Sequence, residues 1–157
     1  MYKFFVFFVT AVVALGLLIT EPENGIVALL IVTIFTLLFL TVFRRFTDEK
    51  EFITYIFLAA LCSRLIFGLV VHLYDLQAFA GPDSYTYHAI GSRISDFWLG
   101  YGDPSDPELR DIMSVRGPGW GMNYMMAIIY LIAGKSQFVA QSFCAVIGAA
   151  AIPLVYF

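Results

Sequence analysis

Long apolar runs without a charged residue are the feature that most limits how this chain can fold. The run at 26–43 contains no charge and is rich in Leu, Ile, Val and Phe. A bilayer hydrocarbon core about 30 Å thick is crossed by roughly 20 residues of α-helix, so such a run is typical of a membrane span. Only 13% of the 157 residues are charged, against about 25% in soluble domains. The sequence therefore predicts an all-α integral membrane protein with the lipid bilayer as a partner.

Charge and cysteine usage exclude other classes of protein. The net charge is -3 and the only adjacent basic pair is Arg44 and Arg45, so no nucleic-acid-binding surface is expected. Cys62 and Cys144 both fall within apolar runs, where we expect packing rather than a disulfide. A soluble enzyme and a disulfide-stapled secreted domain are therefore excluded.

The apolar runs predict about five transmembrane helices. The first run follows Lys3 and superficially resembles a signal peptide, but it is longer than the usual apolar core of one and no small-residue cleavage site follows. We therefore expect it to be retained as a span. The predicted spans lie at 4–20, 26–43, 52–74, 120–134 and 138–157.

Basic residues set the predicted orientation of these spans. Arg44, Arg45 and Lys50 mark a short loop after the second span, and short loops rich in Lys and Arg face the cytoplasm. The amino terminus and Lys135 then fall on the cytoplasmic side, and the segment 75–117 is extracytoplasmic. The expected location is the cytoplasmic membrane of a prokaryote or an equivalent membrane.

The predicted division of the chain follows from these loops. Residues 1–51 form an amino-terminal transmembrane hairpin with its cytoplasmic loop, and 52–157 begin a second transmembrane domain. The last span runs to the end of the sequence without a polar flank. We expect further transmembrane segments or subunits to complete the protein.

The extracytoplasmic segment carries most of the charge that lies outside the short loops. Between Asp75 and Arg116 it contains seven acidic residues and three arginines. A Gly-Pro turn precedes Asp83 and Ser84, and either side chain can cap the free amide groups of a following helix. The segment is therefore where we expect chemistry.

Helical spacing predicts that the stretch after this turn is an amphipathic helix. Such a helix lies flat in the outer membrane interface, with Trp98 at the depth of the headgroups. The predicted apolar stripe consists of Tyr87, Ile90, Ile94, Phe97 and Trp98, and the polar side of Tyr85, Ser92, Arg93 and Asp96.

An acidic loop follows the amphipathic helix. Asp103, Asp106 and Glu108 could be imagined as calcium ligands, but their spacing lacks the alternation and the glycine of a calcium loop. A solvated loop and helix cap is the favoured interpretation, and no metal site is assigned.

Arg64 is the one charge well inside an apolar span. An intramembrane arginine costs free energy unless it faces a partner or a wet cavity, so it marks a functional site by default. One interpretation is a structural ion pair with Asp75 or Asp83, and the other is the binding of an anionic ligand. Both stay open at this point.

The order of several motifs resembles a known family. Arg64 lies in a span, GPDSYTY at 81–87 leads into the interfacial helix, RGPGW at 116–120 returns to the membrane, and YLIAGKS stands at 130–136. From about residue 55 onward the chain resembles the amino-terminal part of the polytopic glycosyltransferases of the GT-C superfamily. That superfamily includes protein O-mannosyltransferases and the aminoarabinose transferases of lipid A.

The resemblance implies a site in the first extracytoplasmic loop. The family carries an essential acidic residue there, followed four positions later by an aromatic residue, and these match Asp83 and Tyr87. Many relatives have a second acid directly after the first, where this chain has Ser84, which puts a paired-carboxylate site in doubt. The implied activity is sugar transfer from a polyprenyl-phosphate-linked donor to an acceptor on the extracytoplasmic side.

The residue types fit that chemistry. A carboxylate takes the proton of the acceptor hydroxyl, which assigns the catalytic base to Asp83. Cations stabilise the departing phosphate, which assigns substrate binding to Arg64 and Arg116. The sequence leaves open whether a divalent metal takes part and which sugar is used. The alternative is a small non-enzymatic membrane protein, an assembly or lipid-binding subunit.

Overall fold

The structure is a computed structural model that describes residues 22–81, 83–103, 105, 107–114 and 120–156. Within these residues the regular elements are all α-helices, which confirms the predicted all-α class. The helices are α1 (Pro22–Phe46), α2 (Lys50–Leu73), α3 (Gln77–Ala80), α4 (Asp83–Trp98), α5 (Pro107–Ser114), α6 (Trp120–Ala133) and α7 (Gln137–Tyr156).

Three of the described helices, α1, α2 and α7, are long and apolar enough to cross a membrane. They coincide with the predicted spans at 26–43, 52–74 and 138–157, and the predicted span at 4–20 lies outside the described residues. Helix α6 has 14 residues and rises ~21 Å, less than the about 30 Å of a hydrocarbon core. A membrane protein with three such helices is supported, and the count of five stays a prediction.

The chain separates into two compact units, each described here by itself. Of the described residues, the first unit comprises 22–76 and 141–156, and the second comprises those between 77 and 140. The first unit thus holds α1, α2 and most of α7, and the second holds α3 to α6 and the start of α7.

Aromatic side chains pack α1 against α2 and against α7 in the first unit. Phe43 of α1 and Phe57 of α2 are buried, and their ring centroids lie 6.0 Å apart. The Phe39 ring also lies 6.4 Å from that of Phe57. Near the middle of α1, Phe35 meets Phe143 of α7 edge to face at 5.0 Å. Such contacts add to the apolar burial of the rings.

Helices α2 and α7 run antiparallel in the first unit. The Gln141 side chain of α7 donates a hydrogen bond of 3.3 Å to the carbonyl oxygen of Gly68. Further along α7, Gly148 lies against the guanidinium of Arg64. Residue numbers rise along α7 as they fall along α2, so the two helices point in opposite directions.

The outer face of the first unit is apolar. Leu30, Ile34 and Leu37 of α1 are each more than half exposed. An apolar face of this extent is a contact surface for lipid or protein rather than for water. It agrees with the membrane location that the three long helices support.

The second unit is built on close packing of α4 against α6. A Cβ atom placed on Gly91 would lie 2.7 Å from the Cβ of Met126, closer than real side chains approach. The absence of a side chain at Gly91 therefore lets the two helices meet. Beside this contact, Ile94 and Ala127 are fully buried, together with Leu109 of α5.

The buried face of α4 overlaps the predicted apolar stripe in part. The structure buries Gly91, Ile94 and Ser95, whereas Trp98 is 40% exposed and stacks on Tyr124. Ile94 belongs to the predicted stripe, and two further members of the stripe pack, partly buried, against the same cluster. The stripe did not include the small residues of this face. The location of α4 in the membrane interface stays a prediction.

A contact in the second unit corrects the predicted topology. Lys135, which follows the turn at Gly134 (φ 81°), forms an ion pair with Asp96 of α4. The sequence interpretation placed Lys135 in the cytoplasm and Asp96 in the extracytoplasmic segment. Two side chains in contact lie on the same side of a bilayer, so these two placements exclude each other.

Candidate functional site

Asp83 stands at the first residue of α4 and is exposed. The backbone N–H of Ser84 donates a hydrogen bond of 2.9 Å to the carbonyl oxygen of Gly81, which closes the turn before the helix. The amino end of a helix carries partial positive charge, which favours a carboxylate there. The residue predicted to be the base is therefore an accessible carboxylate at a helix start.

Tyr87 lies one helical turn after Asp83 and is half-buried. Residues four apart lie on the same face of a helix. The structure thus places the predicted pair on one side of the amino-terminal half of α4, where the phenol and the carboxylate can face a common ligand.

Two side-chain hydrogen bonds fix this half of α4 within the second unit. The amide of Gln137 donates to the hydroxyl of Ser84 at 3.3 Å. One turn on, the Nδ1 atom of His88 and the hydroxyl of Tyr130 are joined by a hydrogen bond of 2.8 Å, and the two rings meet edge to face. Asp83 and Tyr87 are therefore carried by a segment that is anchored at two successive turns.

The anchoring role of these residues was missed by the sequence analysis. Ser84 and His88 are four residues apart, and Tyr130 is a polar-tipped ring on an apolar helix, 3% exposed. A buried phenol normally finds a hydrogen-bond partner. That requirement is a signal in the sequence, but only the fold shows that His88 meets it.

Arg64 lies on α2 in the first unit, exposed and beside Gly148. One of the two interpretations of this arginine was an ion pair with Asp75. Within the described residues of the first unit, no carboxylate lies within ion-pair distance of its guanidinium. The interpretation that Arg64 binds an anionic ligand stays a prediction.

The predicted site residues are spread over both units. Arg64 belongs to the first unit, and Asp83 and Tyr87 belong to the second. Arg116 lies outside the described residues. The structure brings Asp83 and Tyr87 together on α4, and a site that joins them to Arg64 and Arg116 stays a prediction.

The acidic loop after α4 is organised by Asp103. Its carboxylate accepts hydrogen bonds from the backbone N–H of Ser105 at 2.8 Å and from the Ser105 hydroxyl at 2.6 Å. These bonds, the hydroxyl bond above all, lower the pKa of Asp103. The geometry is that of a local polar turn, and among the described residues no three His, Cys, Asp or Glu side chains are grouped to hold a metal ion.

No family model, curated protein or solved structure matches this chain. The resemblance to the GT-C superfamily therefore stays a prediction from the order of motifs. The function is argued below from the chemistry of the site.

Proposed function

We propose that this protein is a membrane glycosyltransferase that transfers a sugar from a polyprenyl-phosphate-linked donor to an acceptor hydroxyl on the extracytoplasmic side. The observation that carries the proposal is the exposed carboxylate of Asp83 at the start of α4. Tyr87 stands one turn on along the same face. The family resemblance, which rests on the sequence around these two residues, supplies the reaction class.

The proposed reaction needs one base and compensating positive charge. The Asp83 carboxylate accepts the proton of the acceptor hydroxyl while that oxygen bonds to the anomeric carbon of the sugar. The bond from this carbon to the phosphate oxygen breaks, and the phosphate leaves with the electron pair. Because phosphate is a good leaving group, cations are needed rather than a strong acid. Arg64 and Arg116 are the proposed cations.

The anchoring of α4 supports the role of Asp83. A catalytic base works only when it is held near one geometry by side chains that are themselves fixed. The bonds from Ser84 to Gln137 and from His88 to Tyr130 hold the helical turns that carry Asp83 and Tyr87.

The test replaces Asp83 by Asn in the complete protein and measures sugar transfer from a polyprenyl-phosphate sugar. Asn caps a helix as well as Asp does, so Asp83→Asn removes the base and leaves α4 intact. We expect the rate of transfer to fall by about 10²- to 10⁴-fold.

The matched control is Asp75→Asn. Asp75 is exposed and has a φ of 50°, a conformation that Asn adopts readily, so transfer should be unchanged. Full transfer by Asp83→Asn would remove Asp83 as the base. It would then favour the alternative of a non-enzymatic membrane protein in which Asp83 only caps α4.

A further inference from the structure

An open groove lies between α2 and α7 inside the first unit, with a volume of about 580 Å³. Its polar groups come from Arg64 and Ser63 of α2 and from Gln141 of α7. The remaining lining is apolar or small, and consists of Ala60, Phe67, Gly68, Cys144, Ala145 and Ile152.

Arg64 brings a fixed positive charge into the membrane-spanning part of α2. It lies nine residues before Leu73, the last residue of the helix, which is ~13 Å along the axis. The Arg64 side chain has no carboxylate partner among the described residues of its unit. A cation at this depth calls for an anion or for water in the groove.

The backbone of α7 shapes the position of the guanidinium. A Cβ atom on Gly148 would lie 2.8 Å from an Nη atom of Arg64 and 2.9 Å from its Cζ. The guanidinium therefore rests flat against α7 at a place that only glycine leaves free. One planar face is covered in this way, and Arg64 forms part of the lining of the groove.

Gln141 supplies a second donor to the same groove. Its amide nitrogen donates to the carbonyl oxygen of Gly68 at 3.3 Å. An amide NH₂ group has two protons, so this bond uses one and leaves the other. The Ser63 hydroxyl adds no donor, because it bonds to the carbonyl oxygen of Ala59.

The mouth of the groove selects for a lipid over a soluble anion. Phe67 is 62% exposed and Ile152 is 42% exposed, so the opening is lined by apolar side chains on two helices that are long enough to cross a membrane. A ligand that enters here carries an apolar chain. A guanidinium binds phosphate oxygens in pairs, and this preference makes phosphate the matching head group.

We propose that the groove between α2 and α7 binds the phosphate group of a lipid, held by Arg64 and Gln141 with the apolar chain along Phe67 and Ile152. The site would bind any lipid phosphate on chemical grounds, and the choice of an isoprenoid carrier rests on the proposed function. Binding involves no turnover and no part of α4. Loss of sugar transfer and loss of lipid binding are therefore separate failures.

The test measures binding to the full chain, purified in detergent, by native mass spectrometry. The probes are undecaprenyl phosphate, undecaprenol without phosphate, phosphatidylglycerol and inorganic phosphate. We expect undecaprenyl phosphate to bind and the uncharged alcohol and inorganic phosphate not to bind. Arg64→Gln should weaken binding by about tenfold or more, because a charge-assisted pair of hydrogen bonds is lost.

Gly148→Ala tests the same site without removing the charge. The new methyl group displaces the guanidinium from α7 and should also weaken binding of undecaprenyl phosphate. The matched control is Gly121→Ala in α6, where an added Cβ atom meets nothing within 4 Å, and it should bind as the unaltered protein does.

The remaining outcomes each decide one point. Binding by Arg64→Gln or by Gly148→Ala at the unaltered level overturns the site. Equal binding of phosphatidylglycerol upholds the lipid-phosphate site and removes the isoprenoid carrier as its specific ligand. Equal binding of inorganic phosphate or of the uncharged alcohol overturns the claim that head group and chain are both recognised.

Discussion

His88 and Tyr130 show how single residues position the candidate base. Neither touches Asp83, yet the bond between them fixes the second turn of α4 against α6. The bond from Gln137 to Ser84 does the same for the first turn. At the scale of the residue, these polar anchors fix the helical turns that carry the candidate base.

Tyr130→Phe tests the anchor. The change removes the buried hydroxyl of Tyr130 and leaves the nitrogen of the half-buried His88 without that partner, so we expect the free energy of unfolding to fall by about 1–2 kcal/mol. Thermal unfolding in detergent measures the effect. The matched control is Tyr101→Phe, where the ring is 80% exposed, and it should leave stability unchanged. Equal stability of the two variants would show that the buried bond contributes nothing.

The helices differ in how far their sequences determine them. Long apolar runs without charge defined α1, α2 and α7, because a membrane-spanning helix needs little beyond length and apolarity. Only part of the buried face of α4 could be found in this way. It includes a close contact of Gly91 with Met126 of α6, and small residues pack by permitting close approach, which a pattern of large apolar residues does not record.

Gly91→Ala tests this packing at the scale of the element. The added Cβ atom meets the Met126 Cβ at 2.7 Å, so α4 and α6 must separate, and overpacking of this kind costs about 1–3 kcal/mol. Gly121→Ala has open space around it and should instead stabilise α6, by about 0.5–1 kcal/mol. The midpoints of thermal unfolding should therefore move in opposite directions. A shift of the same sign in both variants would contradict the close contact.

Topology is the property of the whole molecule that the sequence predicted least well. Positive charges placed Lys135 in the cytoplasm, but a single lysine near the end of a 14-residue helix is a weak cue for sidedness. The fold supplies two stronger ones, namely the ion pair of Lys135 with Asp96 and the antiparallel course of α2 and α7. Two antiparallel spans place the end of α2 and the start of α7 on one side of the bilayer.

Cysteine labelling tests this topology. In a Cys62→Ala, Cys144→Ala background, Lys135→Cys and Asp103→Cys should react with a membrane-impermeant maleimide from the same side of oriented vesicles. Asp103 lies in the exposed loop after α4 and makes no contact with Lys135 that the change could disturb. Reaction from opposite sides would restore the topology predicted from charge and would make α6 a crossing helix.

The sequence alone predicted only part of the candidate site. Asp83 and Tyr87 were found because turn residues and a helix start are local features. The relation of Arg64 to Gly148 and Gln141 depends on which helices meet, and no local pattern contains that information.

The most direct test of the central claim is a single-turnover measurement with Asp83→Asn after the donor has been loaded. A variant that lacks only the base should retain the polyprenyl-phosphate sugar and transfer it about 10²- to 10⁴-fold more slowly than the unaltered protein. Transfer from the loaded donor at an unaltered rate would contradict the account, because a group other than Asp83 would then accept the proton of the acceptor hydroxyl.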